Sequence, residues 1–336
     1  MTEAPDKIPT SDERRPLHIV LHRTGKSWKS KLIMSALIGS VLFNLMQMAT
    51  LKQYFAGTQP PLEQFHSGEV TSSDKIARIE IKGTIMPPFT ERVLQSIKRA
   101  EEDKQVKGIL LVIDSPGGFV ADSHQIYARL LKLKEKKKPI VIQMGRLTAS
   151  GGYYAAMGAG PETKIYAEPT TWTGSIGVIM PRYDVSKLAE TYGVKSDPLV
   201  TGPFKNSMDP LKPLTEEERK VWDEIIKDAF DRFIGVIDEG RANLNEQEVR
   251  ALATGQVYTA KQALENKLID VIGYEEEALA ALQDQLGLKK VRVIKYSYPL
   301  GLMDVLLRSE VRPPKTLFEQ LLEAHTPQAM YLFGAG

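Results

Sequence analysis

Two strongly apolar runs stand out in the hydrophobic pattern: Val106-Lys107-Gly108-Ile109-Leu110-Leu111-Val112-Ile113-Asp114 and Pro139-Ile140-Val141-Ile142-Gln143-Met144. Neither alternates, so each reads as a buried strand. The first run ends in Ser115-Pro116-Gly117-Gly118 and leads into Ile126, Leu130, Leu131 and Leu133 at helical spacing. Beyond the second lies Thr148-Ala149-Ser150-Gly151-Gly152-Tyr153-Tyr154-Ala155-Ala156, a helix of small residues beginning at a serine. Ile76-Ala77-Arg78-Ile79-Glu80-Ile81 alternates and is expected to open the sheet. Thr215 with Glu218 three residues on forms a capping box, which starts a long amphipathic helix through Val221, Trp222, Ile225, Ile226, Phe230, Phe233 and Ile237. Shorter helices are expected over 244–252 and 259–264, another over 275–286 closed by Gly287, and a late strand over 291–294. This order predicts an α/β fold.

A different pattern marks the N-terminus. Lys31 and Lys52 bracket 20 charge-free residues, 32–51, enough to cross a bilayer as a helix. Arg23, Lys26, Lys29 and Lys31 crowd its N-terminal side, which keeps residues 1–31 in the cytoplasm and sends the rest across. A cleaved signal peptide is the rival. The span is long for one, and Gln47-Met48-Ala49 is not a small-x-small site. A buried core helix would carry an amphipathic stripe, and none is visible. The expected organisation is a cytoplasmic segment (1–31), a transmembrane anchor (32–51), a polar linker with Gly57, Pro60 and Pro61 (52–72), a catalytic domain (73–295) and a tail (296–336). In the tail, Leu300, Leu302, Met303, Val305 and Leu306 form an apolar cluster, Pro313-Pro314 breaks it, and 317–322 has an amphipathic pattern. Such a tail suits packing on a neighbouring subunit or a membrane surface.

Composition narrows the chemistry. The chain has 336 residues, room for a large core plus accessory segments. A formal charge of +2 points to no nucleic-acid partner. The absence of cysteine excludes disulfides, cysteine-zinc sites and a thiol nucleophile. No metal or organic cofactor is implied.

Ser150 is the candidate nucleophile. A serine at a tight strand-to-helix corner lies beside the free N–H groups of the helix start, which can stabilise a tetrahedral oxyanion. Gly151 and Gly152 let a substrate carbonyl approach the backbone. The plainer reading is an N-capping serine with glycines for close packing. Two consecutive corners with Gly-Gly pairs favour the catalytic reading: Gly118 or Gly117 would supply one oxyanion N–H and Gly151 the other. A base is then needed. The five histidines are His18, His22, His66, His124 and His325, so the stretch between the last two has none. A Ser-His-Asp triad fits poorly, and a Ser-Lys dyad is the other common solution. It requires a lysine kept neutral by burial. Lys164, Lys187, Lys195, Lys205 and Lys212 are candidates. Lys205 has Phe204 and Met208 nearby to exclude water, but the residues alone do not choose among the five.

A family resemblance does. Asp114-Ser115-Pro116-Gly117-Gly118, Ala149-Ser150-Gly151-Gly152-Tyr153-Tyr154 and Thr173-Gly174-Ser175-Ile176-Gly177-Val178 closely resemble the signal peptide peptidase A family of serine peptidases. The likeness continues through Pro210-Leu211-Lys212-Pro213-Leu214-Thr215-Glu216-Glu217-Glu218-Arg219 and Gly255-Gln256-Val257-Tyr258-Thr259-Ala260-Lys261-Gln262-Ala263. It implies the fold of the Clp protease subunit and the crotonases, built of repeated ββα units. It places the family's catalytic lysine at Lys205. It further implies a membrane-anchored endopeptidase acting on membrane-associated peptides, including remnants of cleaved signal peptides. The family also has a double-length form whose serine and lysine come from different halves. A single-copy chain would meet that need in a homo-oligomeric ring, with Lys205 of one protomer beside Ser150 of the next. Asn266-Lys267-Leu268-Ile269-Asp270 departs from the family's Gly-Leu-Val-Asp turn. Two alternatives use the same fold: a crotonase-type acyl-CoA hydratase or isomerase, and a catalytically silent membrane scaffold.

Overall fold

The computed structural model of the chain describes residues 28–56, 61–298 and 330–332. It divides into two units, residues 1–59 and 60–336. The first contains helix α1, Trp28–Ala56. Its stretch Trp28–Met48 is long and apolar enough to cross a membrane, and none of that stretch is buried by the protein. The helix begins four residues before the charge-free span, so Lys29 and Lys31 extend it at the cationic end.

The second unit is built on one sheet. In chain order its elements are β1 (Leu62–Gly68), β2 (Lys75–Lys82), α2 (Phe89–Glu102), β3 (Val106–Ser115), β4 (Gly117–Phe119), α3 (Val120–Glu135), β5 (Ile140–Ala149), α4 (Gly151–Ala156), β6 (Ile165–Ala167), β7 (Trp172–Gly174), α5 (Ser186–Thr191), α6 (Glu216–Gly240), α7 (Glu246–Leu252), β8 (Val257–Thr259), α8 (Ala260–Glu265), β9 (Val271–Ile272), α9 (Glu275–Leu286), β10 (Arg292–Ser297) and β11 (Met330–Leu332). Among the described residues the sheet runs β1-β10-β2-β3-β5-β6-β9, with β7 and β8 continuing beyond the end of β5. Its pairings are parallel except β1 with β10 and β7 with β8. The α/β expectation holds.

The apolar runs do what their pattern requires. On β3, Ile109, Leu111 and Ile113 enter the core shared with α2, α3, α4 and α6. Leu110 enters the opposite core, where Ala278 and Leu282 of α9 cover the sheet. Helices on both faces explain why β3 and β5 are strongly apolar runs while β2 alternates toward its end. The capping box at Thr215–Glu218 is present, as are the helices at 246–252, 260–265 and 275–286, the last closed by left-handed Gly287.

Three elements depart from the sequence reading. Residues 62–68, expected within a linker, form β1 on the sheet edge, paired with β10. That strand is almost wholly exposed, so it has no alternation to detect. As a result β2 does not open the sheet but lies inside it, between β10 and β3. The long helix α6 buries its apolar face only from Ala229 onward, while Ile225 remains exposed. The expected tail features at 300–306 and 317–322 lie outside the described residues.

Candidate active site

β5 ends in a one-residue corner. Ser150 has φ 53° and ψ −118°, a conformation that residues bearing a Cβ rarely adopt. Two backbone bonds impose it: Ser150 N donates to Gly174 O at 2.7 Å, and Tyr154 N donates to Ser150 O at 2.9 Å. Gly174 is itself held, because Thr173 Oγ1 donates to Thr148 O at 2.6 Å and Thr148 Oγ1 to Ile113 O at 2.7 Å. The Thr173-Gly174-Ser175 bend therefore clamps the corner, a role its sequence did not disclose. Ser150 is buried, and its hydroxyl does not cap α4. The plainer N-capping use of this serine is not the one the structure makes.

The Ser-Pro-Gly-Gly corner is held separately. Ser115 Oγ donates to Gly83 O at 2.6 Å and accepts from Gly117 N at 3.1 Å. Gly117 thus has its N–H engaged by Ser115, which leaves Gly118, whose N–H faces β11, as the candidate oxyanion donor of the pair. Asp114 joins the ends of the two strands, accepting from Arg146 Nε at 3.0 Å, Arg146 Nη2 at 2.8 Å and Leu147 N at 3.3 Å.

The structure brings the two corners together. A Cβ on Gly117, whose φ is +95°, would lie 2.6 Å from Gly151 N. On Gly151 it would lie 3.1 Å from Gly118 N. Only glycine allows this approach. A third segment, unforeseen from the sequence, reaches the same place. β11 pairs antiparallel with β4, Tyr331 opposite Gly118, and Met330 exchanges two 3.0 Å backbone bonds with Ile179. The Tyr331 carbonyl oxygen lies 2.0 Å from where a Gly117 Cβ would be and 3.1 Å from that of Gly151. Its side chain is buried, stacked on Tyr154 at 5.0 Å and packed on Phe233 at 4.6 Å, with Tyr331 Oη donating to Ala229 O at 2.6 Å. Three residues carry no periodicity, so nothing in the pattern marked them.

Lys205 makes no hydrogen bond or ion pair with this assembly among the described residues. It stands exposed on the turn 203–208, below which Trp222 Nε1 donates to Ser207 Oγ at 3.0 Å. Phe204, expected to exclude water, is itself exposed. The other lysines are no closer to the role. Lys164, Lys187 and Lys195 are exposed. Lys212 pairs with buried Glu218; burial works against that carboxylate, but Lys212 and the Thr215 amide hold its pKa below the usual range. His124 faces elsewhere, with Nδ1 2.8 Å from Tyr154 Oη and its ring near Tyr127. Burial, aided by the charge of Arg232, pushes its pKa down.

Known proteins resemble this chain in sequence. The family described as Peptidase family S49 matches residues 132–289, and the Clp protease family matches residues 69–172. A putative signal peptide peptidase SppA of Enterococcus faecium is 35% identical over 289 residues, 79% of this chain and 83% of that protein. A putative protease of Synechocystis is 39% identical over 210 residues, 62% of this chain and 74% of that one. Protease 4 of Salmonella typhi is 31% identical over 231 residues, 69% of this chain but 37% of its own length. The corners at Ser115–Gly118 and Ser150–Gly152 fall inside these matched regions, and the chain belongs to the S49 family of serine peptidases.

Proposed function

We propose that the chain is a membrane-anchored endopeptidase whose dyad, Ser150 and Lys205, is completed between neighbouring protomers of a ring. One observation carries the reading of the serine half: a strained, buried serine lies beside two glycine corners that converge on a peptide carbonyl oxygen, that of Tyr331. A substrate entering as a strand along β4, as residues 330–332 do, would present its scissile carbonyl to the same corners. Lys205 Nζ, neutral once covered, takes the proton from Ser150 Oγ as that oxygen attacks the carbonyl. The Gly118 and Gly151 N–H groups hold the oxyanion. Collapse of the tetrahedral intermediate breaks the C–N bond, and the lysine returns its proton to the leaving amine. Water activated by the same lysine then releases the acyl group from Ser150.

The oligomer reading rests on exposed apolar side chains in the segment leading to the lysine. Tyr183, Leu188, Tyr192, Leu199, Val200 and Phe204 all face solvent in the single chain. Clustered exposed apolar side chains mark interaction surfaces. A second copy covering the lysine's turn would take Lys205 out of water, the setting a lysine base requires. Repeating head-to-tail contacts of this kind close into rings when the rotation permits.

For substrate we infer membrane-associated peptides, including remnants of cleaved signal peptides. Support comes from the apolar helix α1, which keeps the catalytic unit at a bilayer, and from the aromatic pocket of Tyr154 and Phe233 beside the strand site. The cations before α1 favour a catalytic unit on the extracytoplasmic side. The deciding experiment labels the full-length protein with a fluorophosphonate and maps the adduct, which is expected on Ser150 and absent from Ser150→Ala. Protease added to intact spheroplasts should digest the catalytic unit and spare residues 1–31. Labelling elsewhere would overturn the nucleophile, and protection of the catalytic unit would reverse the topology.

A further inference from the structure

Ser123 presents a hydroxyl that the dyad does not use. It lies in the first turns of α3, is fully buried, and its Oγ has no hydrogen-bond partner. A helical serine ordinarily bonds a carbonyl of the preceding turn. This one instead points at the neighbouring corner: its Oγ is 2.4 Å from where a Cβ on Gly151 would stand. Gly118 N and Tyr331 O each lie 3.1 Å from that same point. An unpaired buried hydroxyl, a candidate oxyanion amide and a seated peptide carbonyl thus surround the first residue after Ser150.

We propose that Ser123 Oγ–H is a third donor of the oxyanion pocket, engaged only when the carbonyl becomes tetrahedral. The inference rests on the reading of Ser150 as nucleophile. With a trigonal carbonyl seated, as Tyr331 O is, Ser123 Oγ has no partner. When Ser150 attacks, the carbonyl oxygen moves as its carbon pyramidalises and gains negative charge. A rotatable hydroxyl with no fixed partner can then swing to meet it. A contact absent in the ground state and present in the transition state speeds the chemical step without tightening substrate binding. The same placement explains the glycine at 151, because any side chain there would displace this hydroxyl.

The test compares full-length wild type, Ser123→Ala and Ser123→Cys on a fluorogenic apolar peptide, with Ser150→Ala as reference. Ser123→Ala should lower kcat by about 100-fold, the size seen when one oxyanion donor is removed, with KM unchanged. Its melting temperature should stay level or rise, since a buried unpaired hydroxyl is gone. Binding of a peptide aldehyde, which forms a tetrahedral adduct, should weaken in parallel, whereas binding of an uncleavable peptide should not. Ser123→Cys keeps the side-chain shape, slightly enlarged, with a weaker donor and should fall between the two. Full kcat in Ser123→Ala, or full recovery in Ser123→Cys, would overturn the proposal, as would a kcat loss matched by a lower melting temperature and a raised KM. Retained turnover in Ser150→Ala would instead overturn the nucleophile, which separates the two failures.

Discussion

Ser150 and Lys205 occupy opposite environments. The serine is 1% exposed, clamped by Gly174 and Tyr154, and framed by glycines that leave no room for a Cβ. The lysine sits on an open turn, followed closely by Leu211 and Lys212 and preceded by Leu199, which is fully exposed. One half of the chemistry is preorganised by the fold of a single chain. The other half of the proposed dyad stands exposed on an open turn. A nucleophile and its oxyanion donors must be fixed within fractions of an ångström, and a core does this well. A lysine base needs desolvation, and a subunit interface can provide it at assembly.

The largest effects should fall on both halves at once. Ser150→Ala, Lys205→Ala and Lys205→Arg should each lose about 10⁴-fold or more in kcat/KM. Arginine keeps the charge but cannot be deprotonated. All three should melt like wild type, and His124→Ala should stay active. Mixing Ser150→Ala with Lys205→Ala under subunit exchange should restore about a quarter of wild-type activity, the chance that ring neighbours pair an intact serine with an intact lysine. Failure to complement in demonstrably mixed oligomers would place both groups in one subunit and erase the contrast.

A smaller perturbation tests the open half alone. Leu199→Glu combined with Ile225→Glu puts charge on exposed apolar positions of one protomer. Light scattering should show dissociation, with peptidase activity lost and the melting temperature of the released chain nearly unchanged. Activity that persists in a dissociated sample would detach the lysine half from assembly.

The closed half should respond in stability as well as rate. Gly118→Ala would drive a Cβ to 2.0 Å from Ile85 O, and Gly151→Ala to 2.4 Å from Ser123 Oγ. Each should cost about 1–3 kcal/mol in unfolding free energy by overpacking and abolish turnover. Ser150→Gly should do the reverse to stability. It releases a backbone strain of about 1–3 kcal/mol against a glycine entropy cost of about 0.5–1 kcal/mol. Chemical denaturation should find it about 1 kcal/mol more stable than Ser150→Ala. A lower stability would mean that the corner is not strained at its own φ and ψ.

What the sequence disclosed follows the same division. β3 and β5 were legible because burial on both faces leaves a strongly apolar run, and both corners were legible because close backbone approach demands glycine. The caps at Thr215, Asn245 and Thr259 use local bonds, although only the first stands before a long apolar-periodic run that marks it in the sequence. β1 was missed because an exposed edge strand has little to bury. The meeting of Gly151 with Ser123 and Tyr331 depends on contacts far apart in the chain, which no local pattern records. Lys205 was legible only through family resemblance, since an exposed turn imposes no pattern of its own.

The smallest expected effect lies away from both halves, at a position where the sequence itself flagged a departure. Lys267 stands where the resembling family has the glycine of its Gly-Leu-Val-Asp turn, and it has φ +59°. A side chain in that left-handed region costs about 1–2 kcal/mol, and glycine there loses about 0.5–1 kcal/mol through the entropy of the unfolded chain. Lys267 Nζ also reaches Glu248 Oε1 at 3.4 Å, but both side chains are about half exposed, and an ion pair of that kind contributes little. The backbone around the turn is fixed independently: Leu268 N donates to Ala263 O at 2.8 Å, and Arg241 Nε donates to Lys267 O at 3.0 Å beside its two bonds to Asp270. Those bonds use main-chain atoms that glycine keeps. Lys267→Gly should therefore stabilise the protein by about 0.5 kcal/mol and leave kcat and KM untouched. Urea titration can resolve a shift of this size in the midpoint at constant m. A loss of stability would show that the Glu248 pair outweighs the backbone strain, and a change in kcat would tie this turn to the catalytic corner.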